Sequence, residues 1–385
     1  MKTTHYLLIF LFIVTGCRKP YDPPAITSAG GDLVVEGIIN SGNDSTVIKL
    51  SRTVQLSANM PVNETNAKVS VESDQNVFYS LSETSPGTYT CGPLNLDAAH
   101  LYRLNIFTSD NIKYQSDFEA VKHTAPIDSI GYMIKSNGIQ IYLNTHDATN
   151  SSRYYRWDYQ ETWQFYSKYN SEYYVTADTI LPRPANQQVH YCFSNDVSTN
   201  IILGSTADLT SDIVSQNPIT FVAASSEKLE AKYSILVKQY AITKDAFNFW
   251  TNLKKNTEQL GSIFDAQPSQ INGNIHCISN PAIPVIGYIS VTNAQSKRIF
   301  VSNSSLPQYF FGVYPYDCSE DSTLIYNPVT KLNDVKDFII DAAPGTIDAA
   351  GPIIKNNALI GYFRTSPICA DCTLRGTTTQ PVFWK

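Results

Sequence analysis

The chain has 385 residues, enough for two or three domains, and 43% of them are hydrophobic, so a substantial core is available. Only 16% are charged, the net charge is -6, and Tyr is abundant at 24. That composition suits extracytoplasmic β-domains with neutral polar surfaces, and with no basic block or basic-aromatic stripe it argues against nucleic-acid binding.

At the N-terminus, Lys2 precedes the uncharged run Tyr6–Val14, which ends in Thr15-Gly16-Cys17. A basic start, an apolar segment short of the ~20 residues a span needs, and small residues at its end make a secretory signal over residues 1–16. A Cys directly after Thr15-Gly16 fits a bacterial lipobox, in which the Cys17 thiol is acylated and becomes the new N-terminus. Residues 17–31 carry Pro20, Pro23, Pro24 and Gly30-Gly31 and predict a lipidated tether between bilayer and folded body. No other segment is a candidate to cross a membrane.

From residue 32 to 121 the chain alternates short strand-like runs with turns. Leu33–Ile39, Ser45–Ser51, Ala67–Glu72, Val77–Leu81, Gly87–Cys91 and Leu101–Phe107 are separated by Gly42-Asn-Asp44, Ser73–Asn76 and Ser85-Pro-Gly87, among others. The spacing predicts an immunoglobulin-like β-sandwich that serves as spacer or platform.

Residues 126–303 predict a second, fibronectin-type-III-like sandwich. Its central run is Tyr154–Phe165, in which Tyr155, Trp157, Tyr159, Trp163 and Phe165 share one face of an extended strand and Arg156, Asp158, Gln160, Thr162 and Gln164 the other. Large aromatics dominate core burial, so the aromatic face is expected to be core. Tyr166, Tyr169, Tyr173 and Tyr174 lose the alternation and sit among polar residues, which makes them candidates for exposed contact. Tyr233–Tyr240 and Val285–Val291 are expected to complete this sandwich. Between them Thr243 can cap a helix over 243–260, with Asp245 in its first turn, Ala246, Phe249, Trp250, Leu253 and Leu260 on one face, and Lys254 and Lys255 towards its end. Loops on rigid scaffolds carry most binding, so 243–284 is the expected interaction insert, with Trp250 and His276 its candidate contact residues. The competing reading is that Phe249, Trp250 and Leu253 plug the end of the sandwich. Residues 304–385 are turn-rich, with weak strands at Phe338–Ile340 and Leu359–Phe363, and are expected to form an irregular segment packed on the second domain.

Excluding Cys17, six cysteines remain, an even number that in an exported chain predicts disulfides. The expected pairs are Cys192 with Cys277, and Cys318 with Cys369 or Cys372; Cys91 is alone in its domain and is a candidate free thiol. Cys369-x-x-Cys372 with Cys318 and a His is the zinc alternative, weakened by the absence of a second Cys-x-x-Cys and of any nearby His. No metal site and no cofactor is therefore predicted.

The runs Tyr233–Thr243, Phe249-Trp250, Lys255–Gln270, Gly273–Cys277, Pro284–Tyr288 and Lys297–Phe300, with Leu33–Gly37, Cys369–Cys372 and Phe383-Trp384, closely resemble the Bacteroidota lipoproteins grouped as the domain of unknown function 4249 family. The resemblance implies a lipid-anchored outer-membrane protein, exposed at the cell surface and associated with a TonB-dependent transporter. It carries no agreed catalytic residue, so none transfers. The chain itself has no G-x-S-x-G elbow, H-E-x-x-H, P-loop or dinucleotide fingerprint. The expectation is a non-catalytic accessory or ligand-binding partner of such a transporter. The alternatives are a free-standing carbohydrate-binding surface lipoprotein using the Tyr166–Tyr174 region, and a hydrolase converging on His276 and Asp265.

Overall fold

The computed structural model describes residues 31–54, 62–258, 273–314, 316–343 and 345–384. The expected signal segment, Cys17, nearly all of the tether and Asp265 lie outside the described residues. The first sandwich opens with β1 (Leu33–Asn40), β2 (Thr46–Arg52), β3 (Val62–Asn63), β4 (Lys68–Ser73), β5 (Phe78–Ser85), β6 (Thr88–Cys91), β7 (Leu101–Phe107), β8 (Lys113–Ser116) and β9 (Glu119–Ala120). The second contains β10 (Ile127–Lys135), β11 (Gly138–Asp147), β12 (Tyr154–Tyr166), β13 (Tyr173–Val175), β14 (Ile180–Pro182), β15 (Tyr191–Val197), β16 (Ile202–Ser205), β17 (Asp212–Ala223) and β18 (Lys232–Ala241). Helix α1 (Lys244–Glu258) follows, then β19 (Ile275–Cys277), β20 (Val285–Gly287), β21 (Val291–Thr292) and β22 (Gln295–Ser302). The C-terminal segment holds β23 (Asp321–Leu324), β24 (Asp348–Lys355), β25 (Ala358–Thr365) and the short helix α2 (Pro367–Ala370).

The fold is mostly β, in stacked sheets. The first sheet runs β19-β8-β7-β4-β5-β6-β2-β1-β20, with β5 shared between its two halves, so it folds over on itself around Leu33, Val35, Ile48, Leu50, Val71, Leu104 and Ile106. Its two ends belong to one segment. β19 adds antiparallel to β8, while β20 and β21 add parallel to β1. This corrects the expected domain boundary: Val285–Val291 does not complete the second sandwich but closes the first. The physical reason is the edge left open by β1, whose N–H and C=O groups need a partner. Ile275, Val285, Ile289 and Val291 are all buried in the first core.

In the second sandwich the β10-β11-β17 sheet packs on β15-β12-β18-β22, with β16 extending it. Tyr155, Trp157, Tyr159, Trp163 and Phe165 are all buried in the shared core, so the aromatic face is structural. Trp157 is the more deeply buried of the two tryptophans, and its ring nitrogen donates to Gln239 Oε1 at 2.8 Å, so the indole enters the core with its polar atom satisfied.

The C-terminal segment is more ordered than its turn-rich sequence suggests. β23-β25-β24 form a small sheet that buries Ala349 and Tyr362 against Ile180, Tyr173 and Val175 from the β13–β14 hairpin. Leu359–Phe363 lies within β25, whereas Phe338–Ile340, expected as a strand, sits in the helical turn Lys336–Ile340. Two disulfides fasten the segment, Cys318–Cys369 within it and Cys192–Cys372 to β15. Cys277 is thus not the partner of Cys192, because β19 carries it into the first sandwich, where it stays a buried free thiol, as Cys91 stays a half-buried one. The disulfides also consume every cysteine of the zinc alternative.

Candidate ligand cleft between the sandwiches

Helix α1 forms the joint between the two sandwiches. Thr243 caps it as the sequence predicts, its Oγ1 accepting from the Ala246 N–H at 3.2 Å. Ala246 and Phe249 are buried with Tyr240, Ile242 and Tyr288, and Ile38, Tyr154 and Leu203 pack around them. The helix therefore touches the first sandwich, the second sandwich and the returning segment together. Trp250 lies against Phe249 edge-on and carries the Arg156 guanidinium over its ring, 4.0 Å from the centroid. It packs, half-buried, against the joint's apolar cluster beside that arginine.

Arg156 comes from the polar face of β12. Register sets Tyr240 of β18 directly opposite Arg156, and Lys238 opposite Asp158. These four side chains face β1 and the β1–β2 turn across a cleft of about 490 Å3, whose far wall is built by Gly37, Ile38, Asn40, Asp44 and Val47. None of the ion pairs among the described residues involves Arg156 or Lys238, although Asp158 shares their wall of the cleft and Asp44 faces them from the other. Burial lowers the Arg156 pKa, opposed by the charges of Asp158 and Glu36. Burial likewise raises the Tyr240 hydroxyl, and the Asp158 carboxylate it engages reinforces the shift. A smaller hollow of about 220 Å3 continues the cleft and adds Gly42, Asn43, Asn293 and Gln295. Asn40 and Asn293 spend their side-chain oxygens on the Gly42 and Thr124 backbone N–H groups, at 2.8 and 2.7 Å, which leaves the amide N–H2 ends as donors.

A second polar cluster lies where the returning segment meets the first sandwich. The half-buried Glu119 carboxylate accepts from the Tyr288 hydroxyl at 2.7 Å and from Asn274 at 3.0 Å. Asn274 also exchanges both backbone hydrogen bonds with Ile289, at 2.9 Å each, imitating a strand pair with its side chain. Burial pushes the Glu119 carboxyl above its usual range, against the pull of those two donors. His276 is exposed and pairs with Asp117 at 3.1 Å. It lines a larger, more apolar groove of about 960 Å3 together with Leu253, Ile275, Ile278, Ile283 and Val285.

The tyrosines expected to form an exposed surface do not. Tyr166 packs on His190, and its backbone carbonyl accepts from Arg375. Tyr169 donates to the Cys318 carbonyl at 3.1 Å, and Tyr173 meets Tyr362 edge-on. The C-terminal segment lies over these three and takes the surface the sequence left open, while Tyr174 is half-buried beside Ile339 and Ile347. Arg156, Asp158, Lys238 and Asp44 were not among the expected site residues. The signal available was the alternation itself: the polar face of the aromatic strand carries two opposite charges, and Lys238 recurs on the polar face of the next buried strand. Among the described residues no group of three or more His, Cys, Asp or Glu is placed to hold a metal.

Two β-sandwiches bridged by a helix, with the first sandwich closed by a segment that arrives after the second, define the architecture on which these features sit. The family model described as Domain of unknown function (DUF4249) matches residues 18–298, and the chain belongs to that family. The match spans both sandwiches and the helix and stops before the C-terminal sheet. No curated protein matches the chain.

Proposed function

We propose that the protein is a non-catalytic, lipid-anchored lipoprotein of the outer membrane of a Bacteroidota bacterium, exposed at the surface, where it serves as accessory or ligand-binding partner of a TonB-dependent transporter. The anchor is supported by Lys2, the apolar run and Thr15-Gly16-Cys17, followed by a proline-rich tether that leads to the first sandwich. Two or three acyl chains hold such a protein stably, since each buried methylene contributes about 0.8 kcal/mol.

The observation that carries the partner role is the surface of the C-terminal segment. Nearly half of the exposed large apolar side chains among the described residues fall between Tyr309 and Phe383, including Phe311 at 64%, Val329 at 86% and Ile354 at 64% exposure. Register sets Ile354 directly beside the exposed Leu359 at one end of the small sheet. Isolated exposed apolar residues are ordinary, and what favours protein contact here is their concentration in one segment of the chain, with Ile354 and Leu359 adjacent.

The test is capture of the tagged full-length protein from its own membranes in mild detergent, followed by mass spectrometry. The expected result is one stoichiometric TonB-dependent β-barrel, lost in the triple variant Phe311→Ser/Val329→Ser/Ile354→Ser. Recovery of the protein alone, or an unchanged complex with the triple variant, defeats the partner role. Complete membrane retention of Cys17→Ser after a high-salt wash defeats the lipid anchor.

A further inference from the structure

We infer that the cleft between the two sandwiches binds a small carboxylate that also carries hydroxyl groups, an acidic sugar, with Arg156 and Lys238 holding its carboxylate. The inference goes beyond the transporter partnership and uses a different surface of the molecule.

The cleft has the size of a small-molecule site, about 490 Å3 with a continuation of about 220 Å3. Its charges are placed by strand register: Arg156 and Asp158 project from β12, Lys238 from β18, and Asp44 from the facing turn. Half-buried charges are normally paired, because leaving water without a partner is costly. Here no ion pair among the described residues involves Arg156 or Lys238, and Asp158 and Glu36 act on Arg156 only through their charge. The Trp250 ring centroid lies 4.0 Å from the guanidinium carbon of Arg156, and Arg156 also lines the cleft. A planar fork held in this way is suited to bidentate recognition of a carboxylate.

The remaining groups narrow the ligand class. Asp44 and Asp158 are acceptors that require hydroxyl or N–H donors, while the amide N–H2 groups of Asn40 and Asn293 require acceptors. Neighbouring hydroxyls on a sugar ring supply both. Asp44 and Asp158 offset the charge of Arg156 and Lys238, so the cleft disfavours a dianion such as a phosphate monoester more strongly than a monoanion held directly by the two cations. A neutral sugar offers Arg156 and Lys238 no carboxylate to hold directly, and an amino acid has fewer hydroxyl groups with which to meet both amides and both acids.

The test is titration calorimetry of the purified full-length protein in detergent with glucuronate, galacturonate and N-acetylneuraminate, against glucose and glutamate as controls. At least one of the three acids is expected to bind, with glucose and glutamate at least about tenfold weaker. Arg156→Gln should weaken that acid by about tenfold or more, the loss expected for one charge-assisted contact. Lys238→Gln should weaken it less and leave the melting curve unchanged, which keeps the test decisive if Arg156→Gln folds poorly. Binding by none of the three acids at millimolar concentration, equal binding of glucose or glutamate, or unchanged affinity in both variants overturns the assignment. None of these results alters the outcome of membrane capture, so the two proposals fail separately.

Discussion

Glu119 shows how one residue couples the returning segment to pH. Its carboxylate sits where β9, Asn274 and Tyr288 meet, and burial raises its pKa. A carboxyl whose folded pKa lies above its unfolded value binds more protons in the native state, so its contribution to stability is greatest at acid pH. That contribution declines as pH rises through the unfolded and then the folded pKa. Replacing it by Gln keeps an oxygen acceptor for both Tyr288 and Asn274 and removes the buried charge. Glu119→Gln is therefore expected to be more stable than the parent at pH 7 to 8 by on the order of 1 kcal/mol, the low end of desolvation costs. The difference should vanish as the pH drops below the ordinary carboxylate range. Denaturant unfolding of both proteins across that range checks it, and a pH-independent loss of stability in the variant would show that the charge itself is needed.

At the scale of elements, the disulfide between Cys192 and Cys372 joins β15 to a helical turn near the end of the chain, across a sequence separation of 180. Around it Phe193 and Thr377 exchange backbone hydrogen bonds, and the Trp384 ring meets Phe193 and Phe300 edge-on. Removing such a long-range link typically costs about 2–5 kcal/mol. The paired variant Cys192→Ser/Cys372→Ser should lose roughly that much, and brief proteolysis should remove residues beyond 304 before either sandwich is cut. Uniform resistance along the chain would mean that packing alone holds the segment. This pairing marks the limit of what local pattern could reveal. The aromatic alternation of Tyr155–Phe165, the Thr243 cap and the helix were legible because each depends on neighbours within a few residues. The partner of Cys192 was not, because it depends on which sheet Cys277 joins. The same holds for the cleft: Arg156 and Asp158 announce a polar face, but only the register with Lys238 and the approach of the β1–β2 turn make that face a site.

For the whole molecule, the chain path decides how the parts depend on one another. The first sandwich is complete only after the chain has built the second and returned through residues 273–292. Ile275, Cys277, Val285, Ile289 and Val291 of that return are buried in its core. Burying a large aliphatic side chain contributes ~1.5–3 kcal/mol at most, so these positions together supply about as much as the ~5–15 kcal/mol by which a whole domain is usually stable. The return also covers the β1 and β8 edges, which otherwise expose unpaired backbone groups. A fragment of residues 31–121 should accordingly be unfolded or aggregated by itself, with a collapsed amide spectrum in nuclear magnetic resonance. Adding a synthetic peptide of residues 273–292 should restore a dispersed spectrum by supplying β19, β20 and β21 in trans. A fragment that folds unaided would show that the remaining strands suffice and would make the return a strap on a finished domain. Restoration by the peptide would instead establish that the first sandwich needs the returning strands and not the second sandwich itself, so that the chain path, by delivering those strands through α1, ties together two bodies that each fold around a core of their own.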